Sequence, residues 1–340
     1  MKYFFLIFFN LIKLIPLYSN RFINYIKVMI SFFYIKNILN EKNKTYYLIY
    51  DFETTNPTFG EYIWFLVLAK YLSLKKKNIQ IIVISNVSKK SPFNLLNKKK
   101  IHEFKKELQK LTFFFLKKKY IEYSNFKKFK SDFNYKKENI LFSSLVFNKL
   151  QIYDFLFKLI NKFLFKEKNS FLNKIKFKKE NVKISKKLKK IKPYVCWSIR
   201  KNDKWGNYSN TKEEIVKIAN YLKRQKKNYP ILILSDKKTC IWARKILKNF
   251  KKIFYSDKIA NNFVECAIAI VHSKYYFQYK GGGIVFIAYL SNIPYKIIGI
   301  HPPLDTKFSN KKFLSWQNDN QKRVHHYKEI SLSKILKEKL

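Results

Sequence analysis

A chain of 340 residues that is 47% hydrophobic is no charged disordered tail, and it is long enough for one large or two medium domains with real cores. Its 71 Lys and Arg against 22 Asp and Glu give a net charge of +49, yet 66 of those cations are Lys, in a chain rich in Asn, Ile, Phe and Tyr. AT-rich codons produce that composition, so solvated Lys faces come with the bias and the charge alone does not make nucleic acid an expected partner. The same bias makes the six Gly and five Arg informative wherever they persist. Cys196, Cys240 and Cys266 are too few and too scattered for a disulfide framework or a zinc site, which points to a reducing compartment.

Residues 1–40 carry Lys2, Lys13, Arg21, Lys27 and Lys36, no acid, and the apolar stretches Tyr3–Ile12 and Val28–Ile35. Lys13 and Pro16 interrupt the first stretch, which is marginal for crossing a bilayer about 30 Å thick. The segment reads better as helix lying in an anionic membrane surface, with Lys heads reaching outward. Thr45–Tyr50 then predicts a buried strand ending at Asp51, followed by a loop over Phe52–Gly60, a helix over Glu61–Leu74 and a strand over Ile79–Ile84. That order opens a parallel α/β sheet. Between 87 and 192, helices are expected over Ile101–Lys119 and Leu145–Phe165, and a short strand near Tyr120–Tyr123 or Asn139–Phe142. The Lys-dense stretch Lys174–Lys192 reads as a linker closing at Pro193.

The second half is clearer. Tyr194–Ile199 predicts a strand, Arg200–Asn210 a polar loop, and Thr211–Lys226 an amphipathic helix with Asn210 as N-cap and Glu213 completing the capping box. Strand Ile231–Leu234, helix Thr239–Phe250, strand Ile253–Tyr255, strand Ala267–Val271, helix Gly283–Leu290 and strand Tyr295–Ile298 complete a second doubly wound domain. The expected organisation is a membrane-associated helical segment over 1–40 and two Rossmann-like domains, 41–190 and 191–330, facing a cleft.

Ligands of open α/β sheets bind beyond the carboxyl ends of the strands, and the scarce residues gather there. Gln278-Tyr279-Lys280-Gly281-Gly282-Gly283 offers unobstructed backbone amides beside a cation at a helix start, a fit for phosphate or pyrophosphate. Arg200 follows an apolar strand in Ser198-Ile199-Arg200-Lys201-Asn202-Asp203-Lys204, and a guanidinium grips phosphate oxygens in a bidentate way that Lys does not. Asp51, Glu53 and Glu61 surround the first strand-to-helix loop, where a carboxylate can act as general base on a hydroxyl. Glu61 in the first turn of a helix also fits plain dipole complementation.

Phe59-Gly60-Glu61-Tyr62-Ile63, leading into Leu66-Val67-Leu68-Ala69, resembles the Gly-Asp-helix opening of bacterial heptosyltransferases and related GT-B glycosyltransferases, with Glu61 in the place of the Asp. The 198–204 segment resembles the His-x-Arg-x-x-Asp motif of bacterial fucosyltransferases, with Ser198 in the place of the His, and Ala267–Ile298 is similar to the last donor-site elements of these enzymes. The resemblance implies transfer of a sugar from a nucleotide-sugar donor to a glycan or lipid-linked acceptor, without a metal or other cofactor. It further implies Glu61 as base with Asp51 or Glu53 as fallback, Arg200 and Lys204 on the diphosphate, and Gln278 with Lys280–Gly283 as the phosphate-facing loop. The expected location is the cytoplasmic face of a bacterial inner membrane, in assembly of cell-envelope glycan.

Two rivals remain. Asp51-Phe52-Glu53-Thr54-Thr55 looks like the first motif of DEDD-type 3′–5′ exonucleases, although Asp154 and Asp305 have the wrong spacing to complete it. A non-catalytic protein binding anionic membrane through its basic faces is the other. His272 and the pair His325-His326 lack partners at metal-ligand spacing.

Overall fold

The computed structural model describes residues 32, 45–52, 58–74, 78–86, 98–132, 139–142, 175–201, 209–225, 229–280, 282–300, 321–326 and 332–337. The chain divides into two compact units, residues 1–175 and 176–340. The expected membrane-surface segment, Phe32 apart, and the expected helix Leu145–Phe165 lie outside the described residues. Among the described residues no helix is long and apolar enough to cross a membrane.

In the first unit β1 (Thr45–Asp51) is followed by α1 (Phe59–Leu74), β2 (Asn78–Ile84), α2 (Lys98–Leu116), β3 (Ile121–Tyr123), α3 (Phe126–Asp132) and β4 (Asn139–Phe142). Both short strands considered at 120–123 and 139–142 are present. The sheet order is β3-β2-β1-β4 and every pairing is parallel. Parallel strands are covered on both faces, so β1 and β2 read as apolar runs. Pleating turns Ile49 to a cluster with Ile82, Ile84 and Phe129 of α3. Tyr50, on the opposite face, meets Tyr62 and Phe65 of α1 edge-on, with ring centroids 4.8 and 5.3 Å away. Helix α1 is buried on nearly every side from Tyr62 to Ala69, which accounts for its lack of a polar face.

In the second unit a 3-10 turn (Lys179–Asn181) and α4 (Lys186–Lys190) precede β5 (Val195–Ser198). Then come α5 (Lys212–Gln225), β6 (Ile231–Leu234), α6 (Lys237–Ile246), β7 (Ile253–Tyr255), α7 (Ser256–Ile259), α8 (Phe263–His272) and β8 (Tyr275–Tyr279). The short α9 (Val285–Tyr289), β9 (Tyr295–Ile300), β10 (Gln321–His326) and α10 (Leu332–Lys337) follow. The sheet is parallel throughout, in the order β10-β9-β8-β5-β6-β7. Val195 and Trp197 point to a core shared with α5, α6 and α10, in which Ile215, Ile218, Ala219 and Leu222 supply the apolar stripe of α5. The three cysteines are buried and free.

Several expectations need correction. Residues 176–192 are no linker. The Phe177 amide bonds the Leu290 carbonyl at 2.7 Å, Ser185 caps α4 through the Leu188 amide, and Leu188 is fully buried. The lysines concealed a sparse set of core residues, Phe177, Val182, Leu188 and Ile191, so the division falls at 175/176 rather than 190/191.

Ala267–Val271 is the second half of α8 and not a strand. Asn262 caps that helix through the Glu265 amide at 2.9 Å, and Glu265 returns a bond to the Asn261 amide. A short apolar run fits helix and strand alike, and the Asn-x-x-Glu start signal decides it. The strand is instead Tyr275–Tyr279, buried at every position. Helix α5 is capped one residue later than expected, by Thr211 and Glu214: Thr211 Oγ1 accepts from the Glu214 amide and Glu214 Oε2 from the Thr211 amide. The helix expected over Gly283–Leu290 is only the five residues of α9.

Candidate functional site

In each sheet the strand order reverses beside the first strand made. The chain runs β5-β6-β7 to one side and returns as β8-β9-β10 on the other, so the reversal lies between β5 and β8. A crevice forms beyond the carboxyl ends of strands at such a point. Arg200 leaves β5 there, and Lys280 to Gly283 leave β8.

One buried side chain ties these two turns together. Asn210 Oδ1 accepts from the Arg200 amide at 2.8 Å, the Asn210 amide bonds the Arg200 carbonyl at 2.7 Å, and Asn210 Nδ2 donates to the Tyr279 carbonyl at 3.4 Å. Asn210 is thus the clasp of the site and not a helix cap. Arg200 is half-buried, and desolvation lowers its pKa, although a guanidinium stays charged. A cation drawn partly out of water gains more from a nearby anion than an exposed one.

Lys280 sits at φ 60, a backbone conformation that costs a residue with a Cβ roughly 1–2 kcal/mol. Its amide donates to the Ile298 carbonyl at 3.1 Å, while its ammonium donates to the Ser209 carbonyl at 2.9 Å and pairs with Glu214 at 2.8 Å. The Lys280 charge is therefore answered inside the turn, where it fixes the bend. Beyond it, no described residue accepts from the amides of Gly282, Gly283 or Ile284, whereas the next three amides bond back to Gly282, Gly283 and Ile284. A Cβ placed on Gly282 would meet no atom within 4 Å. Three consecutive amides with no partner among the described residues, at a turn where a Cβ on Gly282 would meet nothing, offer donors to an anion without the help of a long helix. Gln278 is buried, its amide oxygen bonded by the Tyr276 hydroxyl, which also lies 2.9 Å from Ser198 Oγ. Lys204 and Gly281 lie outside the described residues.

The first unit repeats the topology: β1 is followed by β2 and β3 on one side, and β4 returns on the other. Thr58 starts α1, with Oγ1 accepting from the Glu61 amide at 3.3 Å and its carbonyl from the Tyr62 amide at 3.1 Å. Thr58-x-x-Glu61 has the capping-box spacing, but only half of the box forms. Glu61 Oε2 is buried without a hydrogen-bond partner, and desolvation pushes the carboxyl pKa up from 4.5 to about 8. Complementing the helix dipole as a carboxylate is therefore not its role at neutral pH. Asp51 ends β1, buried, and pleating places it with Tyr47 and Ile49 rather than on the α1 side. Asp51 and Glu61 are thus carried by different elements, the end of β1 and the first turn of α1. Glu53, Asp154 and Asp305 lie outside the described residues, and among the described residues no three His, Cys, Asp or Glu side chains gather to hold a metal ion.

Each unit is a parallel α/β sheet with polar or charged side chains at its strand-order reversal, and in the second the amides of residues 282–284 have no partner among the described residues. No protein-family model matches the chain, and no curated protein matches its sequence. Among solved structures it is similar to a family 9 glycosyl transferase from Veillonella parvula, at 7% identity and TM-score 0.43, over 83% of this chain and 86% of that one. It is also similar to POFUT1 in complex with GDP, at 10% identity and TM-score 0.35 over 74% and 98%. A third is the Staphylococcus aureus MnaA–UDP structure, at 16% and 0.36 over 75% and 79%. Likeness at this level fixes no chemistry, which is taken below from the chain's own residues.

Proposed function

We propose that the protein is a GT-B-like glycosyltransferase that moves a sugar from a nucleotide-sugar donor to a hydroxyl of a glycan or lipid-linked acceptor. The observation that supports this reading is that Arg200 and the amides of Gly282, Gly283 and Ile284, which have no partner among the described residues, follow the adjacent strands β5 and β8, whose ends are clasped by Asn210. A diphosphate fits such a site: two phosphoryl groups need several donors at once, and a guanidinium and consecutive amides supply them.

In the reaction the acceptor oxygen bonds to the anomeric carbon as the bond from that carbon to the diphosphate breaks. The electron pair leaves with the nucleoside diphosphate. Arg200 and the amides stabilise the charge that grows on the leaving oxygen, a role a divalent cation fills elsewhere. The acceptor's proton passes to the Glu61 carboxylate. Lys204 and Gly281 extend the donor site, Gln278 and Lys280 support its wall, and the basic, acid-free residues 1–40 hold the protein to an anionic membrane surface on the cytoplasmic side.

Thermal unfolding with GDP, UDP, ADP and CMP, followed by their sugars, tests the reading. One nucleoside diphosphate should raise the midpoint, and its sugar should be slowly hydrolysed in the absence of acceptor. No stabilisation by any of them overturns it. Gly282→Ala separates a ligand-facing glycine from a packing one. The added methyl meets nothing in the fold, so the variant should melt like the parent while binding the nucleotide about tenfold more weakly.

A further inference from the structure

At the amino ends of β5 and β8, opposite to Arg200 and Lys280, three exposed lysines meet, with Glu180 next to Lys179 as a neighbouring acid. Lys192 lies shortly before β5, Lys274 immediately before β8, and Lys179 in the 3-10 turn. Each is anchored. Lys179 Nζ donates to the Ser273 carbonyl at 3.3 Å, Lys192 Nζ donates to His272 Nδ1 at 3.2 Å, and the Lys274 amide donates to the Tyr194 carbonyl at 2.9 Å. His272 in turn uses Nε2 toward the Val182 carbonyl at 2.6 Å. Those partners make it the neutral tautomer with Nδ1 as acceptor. Burial comes first, then the charges of Lys192 and Lys179, in keeping the imidazole from charging, with the Val182 bond acting the other way. Lys179 and Lys192 are likewise held below their ordinary values, by desolvation first and then by neighbouring lysines that include Lys274 in both cases. No ion pair involves any of the three among the described residues.

Lysines are abundant here, but flexible ones separate when they repel. Here Lys179 and Lys192 are tethered by hydrogen bonds and Lys274 by its backbone, and Lys179 alone of the three lines a cavity of about 310 Å³ together with Phe177, Lys178, Glu180, Val271, Asn292 and Ile293. We infer that Lys179, Lys192 and Lys274 form a second anion site, for a phosphate group carrying more than one negative charge, at the pole of the second unit away from the donor site. A multivalent anion removes the mutual repulsion of three ammonium groups at once, which a chloride does not. The phosphate can belong to a soluble molecule or to a lipid headgroup, and the chemistry of the site is the same for both.

The test uses the full chain carrying Arg200→Ala, which weakens the proposed donor site, and reads the difference between this parent and a further variant, so that any pyrophosphate held by the remaining donor-site amides cancels. Sodium pyrophosphate should raise the unfolding midpoint by a few degrees over sodium chloride of equal ionic strength. In the same background Lys192→Gln with Lys274→Gln should change two readings together: the anion-free protein melts higher than its parent because repulsion is relieved, and the part of the pyrophosphate increment that belongs to this site is lost. A fold merely damaged by the substitutions would melt lower. An increment that persists undiminished in the double variant, or pyrophosphate no better than chloride in the parent, overturns the inference. Where the increment falls, sedimentation with phosphatidic acid vesicles in phosphatidylcholine assigns the source. Weaker sedimentation of the double variant than of its parent marks a lipid headgroup, and equal sedimentation marks a soluble phosphate.

Discussion

Arg200→Ala should lower kcat/KM for the nucleotide sugar by about 10²–10³-fold, the range seen when one preorganised donor to a developing negative charge is removed. The loss should fall on kcat and donor binding together, because Arg200 meets the diphosphate both before and during bond breaking. Arg200→Lys should recover only a part, since an ammonium is a point charge and cannot span two phosphoryl oxygens. The backbone of Arg200, not its side chain, closes the loop onto Asn210, so the variant should keep the parent's fold by circular dichroism. Steady-state kinetics with a labelled sugar, at saturating acceptor, checks the prediction. Wild-type turnover in Arg200→Ala would remove the residue from the chemistry.

Glu61→Gln should abolish transfer to within about 10²–10⁴-fold of the parent rate, the span general base catalysis supplies, while making the protein more stable above neutrality. Both effects follow from one carboxyl. With a pKa of about 8, roughly a tenth of the molecules hold Glu61 as carboxylate at pH 7, so kcat/KM should rise about tenfold per pH unit below 8 and level off above. The linkage has the opposite sign. An acid whose pKa is raised by folding binds its proton more tightly in the folded state. Its contribution is most favourable below the unfolded value of 4.5 and is lost as pH climbs toward about 8. The loss amounts to roughly 3–5 kcal/mol at about 1.4 kcal/mol per pH unit of displacement. Gln does not titrate, so urea unfolding of Glu61→Gln should lack that decline and cross above the parent as pH rises. A parent stability that is flat from pH 5 to pH 8 would show that Glu61 is not buried as described.

Strands β1, β2, β5, β6 and β7 were legible in the sequence because each is an apolar run closed by a polar residue, whereas Tyr275–Tyr279 and Gln321–His326 were not read as strands. β1 to Asp51 and β6 are found where their patterns put them, and β7 likewise. Arg200 and the glycine turn were legible for a different reason: in a Lys-rich, Gly-poor chain they stand out at strand ends. What could not be read was the wiring. Asn210 looked like a helix cap because Asn is a good one, but its neighbour Thr211 has the same talent and takes the post, which releases Asn210 to bind two loops. Lys280 looked like a phosphate ligand because the acid that neutralises it, Glu214, is distant in sequence. The burial of Glu61 depends on how α1 sinks among Tyr50 and its neighbours, which no local pattern encodes. Ala267–Val271 was misread because five apolar residues carry no period of their own.

The order β10-β9-β8-β5-β6-β7 has a consequence for how the protein comes into being. The wall that bears Arg200 is made of strands contiguous in sequence, β5 to β7, and is synthesised before the strands of the opposite wall. Only when β8 inserts against β5 does the crevice acquire its second side. A nucleotide held between the two walls therefore rewards the finished sheet and not its first half alone.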